Sequence, residues 1–268
     1  MRVSVIVTTY DNPKALSKVL DGLYLQRRPP DEVIVADDGS GPETAGAVER
    51  AKRESGLAIK HVWHEDKGFR AAKIRNEAVK QAEGEYIIFM DGDCVPNRHY
   101  VVDHISLARK GFFVQGKRVI LEEEASARFT PDKANSVKCL LGELFHGHLG
   151  NAHHILRIPF LPASRSTSMR GIKTCSFGVF REDVMAVNGF NEAFTGWGRE
   201  DSEFAARLYR YGLKRKEHPF AAVCFHLWHP QQPRESLARN EALLADTLAS
   251  EGYRCRRGIA YEDEGLGK

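Results

Sequence analysis

Apolar residues in the first third of the chain come in short unbroken runs, separated by segments of helical period. Val3-Ser4-Val5-Ile6-Val7, Glu32-Val33-Ile34-Val35-Ala36, Ile59 to Trp63 and Tyr86-Ile87-Ile88-Phe89-Met90 have the length and composition of buried strands. Between the first two, Asn12-Pro13 opens a segment whose Leu16, Val19, Leu20 and Leu23 share one helical face. A second helix is predicted from about Glu43 to Ser55. A third is predicted from Phe69 to Ala82, where Ala71, Ile74, Ala78 and Ala82 recur at helical spacing before Gly84, a residue that caps in the left-handed region at little cost. This alternation predicts an α/β fold with a mostly parallel central sheet flanked by helices, and in such sheets ligands lie beyond the carboxyl ends of the strands. Thr8 to Asp11, Asp37 to Ser40 and Asp91 to Asp93 occupy three of those ends.

The pattern becomes less regular further on. A helix is expected from about Asn97 to Lys110, a strand from Phe112 to Ile120 and a solvated acidic turn at Glu122 to Glu124. Residues Phe129 to Lys173 read as a mobile insert with one helix near Ser136 to Phe145, followed by a loop rich in His, Pro, Ser and Arg; structureless loops of such length are usually functional or disordered. Thr174 to Arg181 returns to strand character, Phe204, Ala205, Leu208 and Tyr211 mark a helix ending at Gly212, Ala221 to Leu227 forms a last strand, and a final helix lies near Leu237 to Ser250. No repeat or linker interrupts the chain. It is expected to be a single domain with a nucleotide-binding half (1–95), an acceptor and catalytic half (96–230) and a helical tail (231–268).

With 268 residues, 42% hydrophobic and 28% charged, the chain suits a compact enzyme and not a disordered polymer. A formal charge of +3 from 39 basic and 36 acidic residues gives no argument for nucleic acid. The five cysteines are spread out, without a Cys-x-x-Cys pair, so reduced thiols are expected. The first strand begins almost at Met1, without the apolar stretch of a signal peptide or membrane span, and this predicts a cytoplasmic protein, soluble or peripheral at the inner membrane face.

Asp91-Gly92-Asp93 carries the most specific chemistry. Two carboxylates spaced two apart at the mouth of a buried strand point to one side, where a shared divalent cation and its phosphate ligands relieve their repulsion. Paired acids also cap helices and shape turns, so the remaining motifs have to decide between the two.

Val5-Ile6-Val7-Thr8-Thr9-Tyr10-Asp11-Asn12, Asp37-Asp38-Gly39-Ser40, Lys67-Gly68-Phe69-Arg70 with Arg75-Asn76, Asp91-Gly92-Asp93 and Gly196-Trp197-Gly198-Arg199-Glu200-Asp201 occur in an order that resembles the inverting family 2 glycosyltransferases of the GT-A fold. The resemblance covers roughly Val3 to Pro230. The late Gly-Trp-Gly-x-Glu-Asp segment and His226-Leu227-Trp228-His229 look closest to the branch shared by chondroitin polymerase and the β-1,4-galactosyltransferases, which implies a UDP-sugar donor and a divalent metal, Mn2+ before Mg2+.

The resemblance implies roles for particular residues. Thr8 belongs to the donor-binding set, Tyr10 offers an aromatic face to uracil, and Asp38 accepts from the base or ribose. Arg70 and Arg75, read as five apart on one helix, lie near the pyrophosphate. Asp91 and Gly92 meet the ribose side, and Asp93 binds the metal. His226 and His229 are both candidate ligands, but three apart at a strand end they are expected to face opposite ways, so one coordinates, with His226 favoured. Asp201 is the implied catalytic base, with Trp197 and Glu200 orienting the acceptor. Ser176 stands where the family often has Asn, which leaves the donor-sugar contacts open. His146, His148, His153 and His154 lack carboxylate or cysteine partners at ligand spacing and are set aside as a zinc site. Arg157, Arg165, Arg170 and Lys173 make the insert basic, which suits a phosphorylated or lipid-linked acceptor such as a lipopolysaccharide core or undecaprenyl-linked glycan, although solvated loop charge is the commoner explanation of such residues. Two alternatives stay open: an inactive nucleotide-sugar-binding module, and a nucleotidyltransferase, whose Gly-rich signature Thr8-Thr9-Tyr10-Asp11 lacks.

Overall fold

The structure, a computed structural model, describes residues 1–231 and 233–260. In chain order its elements are β1 (Val3–Thr9), α1 (Pro13–Tyr24), β2 (Glu32–Asp37), α2 (Pro42–Ser55), β3 (Ile59–Trp63), α3 (Ala71–Gln81), β4 (Tyr86–Asp91), β5 (Cys94–Pro96), α4 (Tyr100–Leu107), β6 (Phe112–Gln115) and β7 (Lys117–Leu121). Then come α5 (Glu123–Arg128), α6 (Val137–Phe145), β8 (Leu149–Gly150), β9 (Ser164–Ser166), β10 (Ser176–Phe180), α7 (Arg181–Ala186), α8 (Glu200–Arg210), β11 (Lys214–Glu217), β12 (Val223–His226) and α9 (Leu237–Ala249).

An eight-stranded sheet runs in the order β3-β2-β1-β4-β10-β6-β11-β9. Its first four strands are parallel, as the βα alternation requires, and β10 then pairs antiparallel with both β4 and β6. The side-chain period of two sends Val3, Val5 and Val7 of β1 to the face covered by α1, and Ile6 to the face covered by Ala72, Ile74 and Ala78 of α3. Both faces are dry, and each fully buried Val, Ile or Phe contributes about 1.5–3 kcal/mol relative to exposure. Helix starts follow local chemistry: the Asn12 side chain accepts from Ala15 N–H at 3.2 Å, and Ser136 accepts from Cys139 N–H at 3.3 Å.

A second sheet, β5-β12-β7-β8, was not legible in the apolar pattern. It forms because the chain turns at Gly92, returns as the three-residue strand β5, and pairs antiparallel with β12 from much later in the sequence. That pairing sets Cys94 opposite His226. Segment 129–173, expected to be a mobile insert with one helix near Ser136 to Phe145, contains that helix as α6 and in addition β8 and β9, with β9 pairing antiparallel to β11. The expected acidic turn at Glu122 to Glu124 is the start of α5, where acids in the first turn favour the helix N-terminus. Cys94, Cys139, Cys175 and Cys224 are free thiols.

Candidate active site

The carboxyl ends of β1, β2 and β4 meet through their backbones and polar side chains. Gly92 N–H donates to the Thr8 carbonyl at 2.7 Å, and the Thr8 hydroxyl accepts from Arg75 Nε at 3.1 Å. Asp38 is buried, accepting from Arg70 N–H at 2.7 Å and lying 2.6 Å from His64 Nε2. Burial raises its carboxyl above the ordinary value, against the pull of those two partners. Tyr10 stays 47% exposed and donates its hydroxyl to Asp66 at 3.0 Å, which leaves a ring face open at the cleft wall. Asp66 comes this close only because residue 39 is glycine: at φ +100° a Cβ there would lie 2.5 Å from the Asp66 Cα. His64 and Asp66 were not foreseen, because nothing local in a short loop after β3 announces partners 26 and 56 residues away.

Arg70 and Arg75 do not share a helix. Arg70 is the N-cap residue of α3, outside its regular turns, and its guanidinium donates to the Glu65 carbonyl. Its side chain also lines a separate cleft of about 530 Å³ with Lys73 and Glu192. Arg75 is nearly inaccessible and points inward. Its Nη2 donates to Asp91 Oδ1 at 3.2 Å, and its Nη1 stands 3.5 Å from Glu200 and 3.6 Å from Asp201. Nη1 is thus fully buried without a partner at hydrogen-bond distance. Three carboxylates converge on one guanidinium, and two of them hold their protons unusually well. Burial pushes Asp91 up to about 6 despite Arg75, and burial together with Asp201 pushes Glu200 up to about 7.

Glu200 and Asp201 open α8, which also carries Glu203 in its first turn. Asp201 is fixed from across the molecule: Thr174 donates its backbone N–H to Oδ2 at 3.1 Å and its hydroxyl to Oδ1. Thr174 had no sequence signal as a partner. Trp197, 40% exposed, lies on the loop before α8, with the Arg234 guanidinium 5.5 Å from its ring centre. Gly196 has φ +70°, and a Cβ there would lie 2.2 Å from the Ser236 hydroxyl, so the loop bends closely under the approach to α9. Ser176 is turned inward, accepting from the Tyr100 hydroxyl at 2.9 Å.

On the other side of Asp91 lies a compact set of donors. Asp93 Oδ2 is 3.8 Å from His226 Nε2 and 3.3 Å from His229 Nε2, and one ligand atom from each of the three residues falls within 4.8 Å of the others. The expectation that the two histidines face opposite ways is therefore wrong. Strand alternation holds only as far as His226, where β12 ends; Leu227 N–H then donates to the Asp93 carbonyl at 2.9 Å, and the following coil brings His229 back to the same side. Burial lowers His226, favouring the neutral ring that binds metals, although Asp93 pulls the other way. No other such group occurs among the described residues. His148 is instead paired with Glu143 at 2.8 Å.

The acidic, histidine-bearing cleft lies at the carboxyl edge of the α/β sheet, where open sheets of this kind hold their ligands. Glycosyl transferase family 2 matches residues 4–161, and a second description, N-terminal domain of galactosyltransferase, matches residues 159–230. The chain belongs to glycosyl transferase family 2. It is 28% identical to hyaluronan synthase of Pasteurella multocida over 78% of this chain and 23% of that protein, and 29% identical to chondroitin synthase of Escherichia coli over 87% of this chain and 36% of that protein. The chain thus spans well under half the length of either relative. Among solved structures, TarS 1-349 of S. aureus superposes with a TM-score of 0.64 at 19% identity, covering 98% of this chain and 67% of that one. The mannosyltransferase PcManGT of Pyrobaculum calidifontis, solved with GDP-Man and Mn2+, gives 0.58 at 21% identity over 91% of this chain and 69% of that one. The fold is the GT-A arrangement that these structures share.

Proposed function

We propose that the chain is an inverting, metal-dependent glycosyltransferase that moves a sugar from a UDP-sugar to a hydroxyl of a glycan or lipid-linked acceptor. The observation that carries this reading is the juxtaposition, on either side of Asp91 and Arg75, of a donor set (Asp93, His226, His229) and an acid pair (Glu200, Asp201). Inverting transfer needs one group to receive the diphosphate charge and another to take the acceptor proton, and these two demands match the two halves of the cleft.

The donor set fits a divalent ion in composition and spacing. One carboxylate with two imidazoles favours Mn2+ over the oxygen-seeking Mg2+. Such an ion, when bound, would neutralise the departing diphosphate as a Lewis acid. The remaining work falls to side chains of the chain itself. Tyr10 offers a ring face to the base, and Asp38 accepts from the base or ribose. Thr8, Asp91 and Gly92 form the floor of the donor site, and Arg75 Nη1, a buried donor without a partner, has a hydrogen bond to give to a phosphate oxygen. Asp201, held by Thr174, takes the proton of the attacking hydroxyl, while Glu200 and Trp197 orient the acceptor.

TarS was solved with UDP-GlcNAc, and the relatives include hyaluronan and chondroitin synthases and an O-antigen biosynthesis protein, which supports a UDP-sugar donor and a bacterial surface polysaccharide or lipopolysaccharide product. We place the enzyme in the cytoplasm, working peripherally at the membrane; no helix among the described residues is long and apolar enough to cross one. Release of UDP from a panel of UDP-sugars, with a glycan acceptor and with or without Mn2+, tests the proposal. Turnover that needs the metal is the expected result. Tight UDP binding without turnover on any donor would instead make the chain an inactive binding module.

A second reading makes Glu200 the base, because a carboxyl pushed up to about 7 is well matched to proton transfer near neutrality. Comparing Glu200→Gln with Asp201→Asn separates the two assignments.

A further inference from the structure

We propose that the cleft between the end of α4, strand β9 and strand β11 is a phosphate-binding site, separate from the Asp93 centre. The cleft has a volume of about 410 Å³ and shares no lining residue with the acidic site. The antiparallel pairing of β9 and β11 sets Arg165 directly opposite Lys216, and both line the cavity. Arg109 joins them at its edge: its guanidinium lies 5.8 Å from the Phe112 ring centre, and that of Arg165 lies 5.4 Å from the same ring. A guanidinium resting on an aromatic face is held in position while its in-plane N–H groups remain available, which is the geometry for gripping phosphate with two bonds.

Among the described residues these cations have no ion-pair partner. Asp103 is the acidic residue of the lining, and it is already consumed: it accepts from Arg157 at 2.6 and 3.2 Å and from Ala222 N–H at 3.1 Å. Among the described residues, no carboxylate lies within ion-pairing distance of Arg109, Arg165 or Lys216. Lys216 spends one of its three donors on the Leu107 carbonyl at 2.9 Å and has two left. Burial, with the charges of Arg109 and Arg165, pulls its ammonium below the usual value, and an anion seated between the three would relieve that repulsion.

A phosphate group can reach the cleft on a soluble ester or on a lipid headgroup. The rim suits the second source: Phe160 is 84% exposed and Leu161, which lines the cavity, is 40% exposed, so two apolar side chains stand beside the cationic opening. The inference does not depend on the glycosyltransferase assignment.

The test uses the full chain with and without excess UDP and Mn2+, so that any binding at the acidic site is told apart from binding at the cleft. Binding of glycerol 3-phosphate is measured by calorimetry, and binding to phosphatidylcholine vesicles with and without phosphatidylglycerol by co-sedimentation. In at least one arm the wild type should bind, and Arg165→Gln with Lys216→Gln should weaken that binding at least about tenfold, with Lys216→Arg retaining it. Loss in the vesicle arm alone, reproduced by Phe160→Ser, assigns the phosphate to a lipid headgroup; loss in the glycerol phosphate arm assigns it to a soluble ester. No binding in either arm, or binding undiminished in the double variant, overturns the proposal. The exposed Arg109→Gln variant supplies the same reading should the double variant melt early.

Discussion

Arg75 and Arg207 are both buried arginines facing carboxylates, yet they are held in opposite ways. Arg207 makes a two-pronged pair with Glu203, at 2.9 Å from Nε and 2.7 Å from Nη2, and its third edge donates to the Val187 carbonyl. Every strong donor of that guanidinium has an acceptor at close range. Arg75 faces three carboxylates at 3.2 to 3.6 Å, hydrogen-bonds to Asp91 alone among them, and leaves Nη1 without a hydrogen-bond partner. The first arrangement is a finished structural pair within α8, tied to the end of α7 through the Val187 carbonyl. The second has excess acid, an unspent donor and two carboxyls displaced toward neutrality, which is how a site looks when part of its bonding is reserved for a substrate.

That contrast can be broken by substitution. The largest effect is expected at Asp201→Asn: transfer falls by roughly 100- to 10,000-fold as the base is lost, while UDP affinity, measured by calorimetry, stays nearly unchanged. Normal turnover in this variant would remove Asp201 from the mechanism. Next comes Arg207→Met, which strands the buried Glu203 carboxylate and should cost about 3–5 kcal/mol of stability in a denaturant titration. Arg75→Met should cost less stability, because Asp91 and Glu200 can take up protons, but should abolish transfer; equal losses in the two variants would erase the distinction drawn here.

His226→Ala and His229→Ala should each weaken Mn2+ binding by roughly tenfold or more, since both rings face Asp93. A silent variant at either position would restore the expectation of a single ligand. The smallest effect concerns pH. Glu200 is raised to about 7 in the fold from an ordinary 4.5, so between those values the folded chain holds a proton that the unfolded chain has released. Stability is therefore lost as pH rises from about 4.5 through 7, and Asp91, raised to about 6, adds in the same direction. Melting temperatures of the metal-free protein across this window should fall less steeply in Glu200→Gln than in wild type.

The strand ends that carry Thr8, Asp38 and Asp91 were legible because apolar runs of strand length mark where each strand stops, and the βα alternation puts all those stops on one edge. The second sheet carries no such signal, for the complementary reason. Strand β5 is three residues long, too short for a period, and exists only because β12 pairs with it. The same pairing brings His226 to Asp93, 133 residues away in sequence, and a backbone hydrogen bond beyond the strand end, not the strand period, turns His229 to join it. The helical period from Phe69 includes Arg70, but Arg70 is the N-cap and α3 begins only at Ala71.

The sequence by itself determined the alternating elements of β1 to β4, the edge of the sheet where chemistry would sit, and the candidate acids, because local apolar period and short motifs encode what each segment does alone. Only the tertiary structure decided which acids share Arg75, that Thr174 holds Asp201, that both histidines meet Asp93, and that Arg109, Arg165 and Lys216 gather in one place. Those facts depend on the distances between segments far apart in the chain, and electrostatic energies follow distance and burial, neither of which is written in the order of the residues.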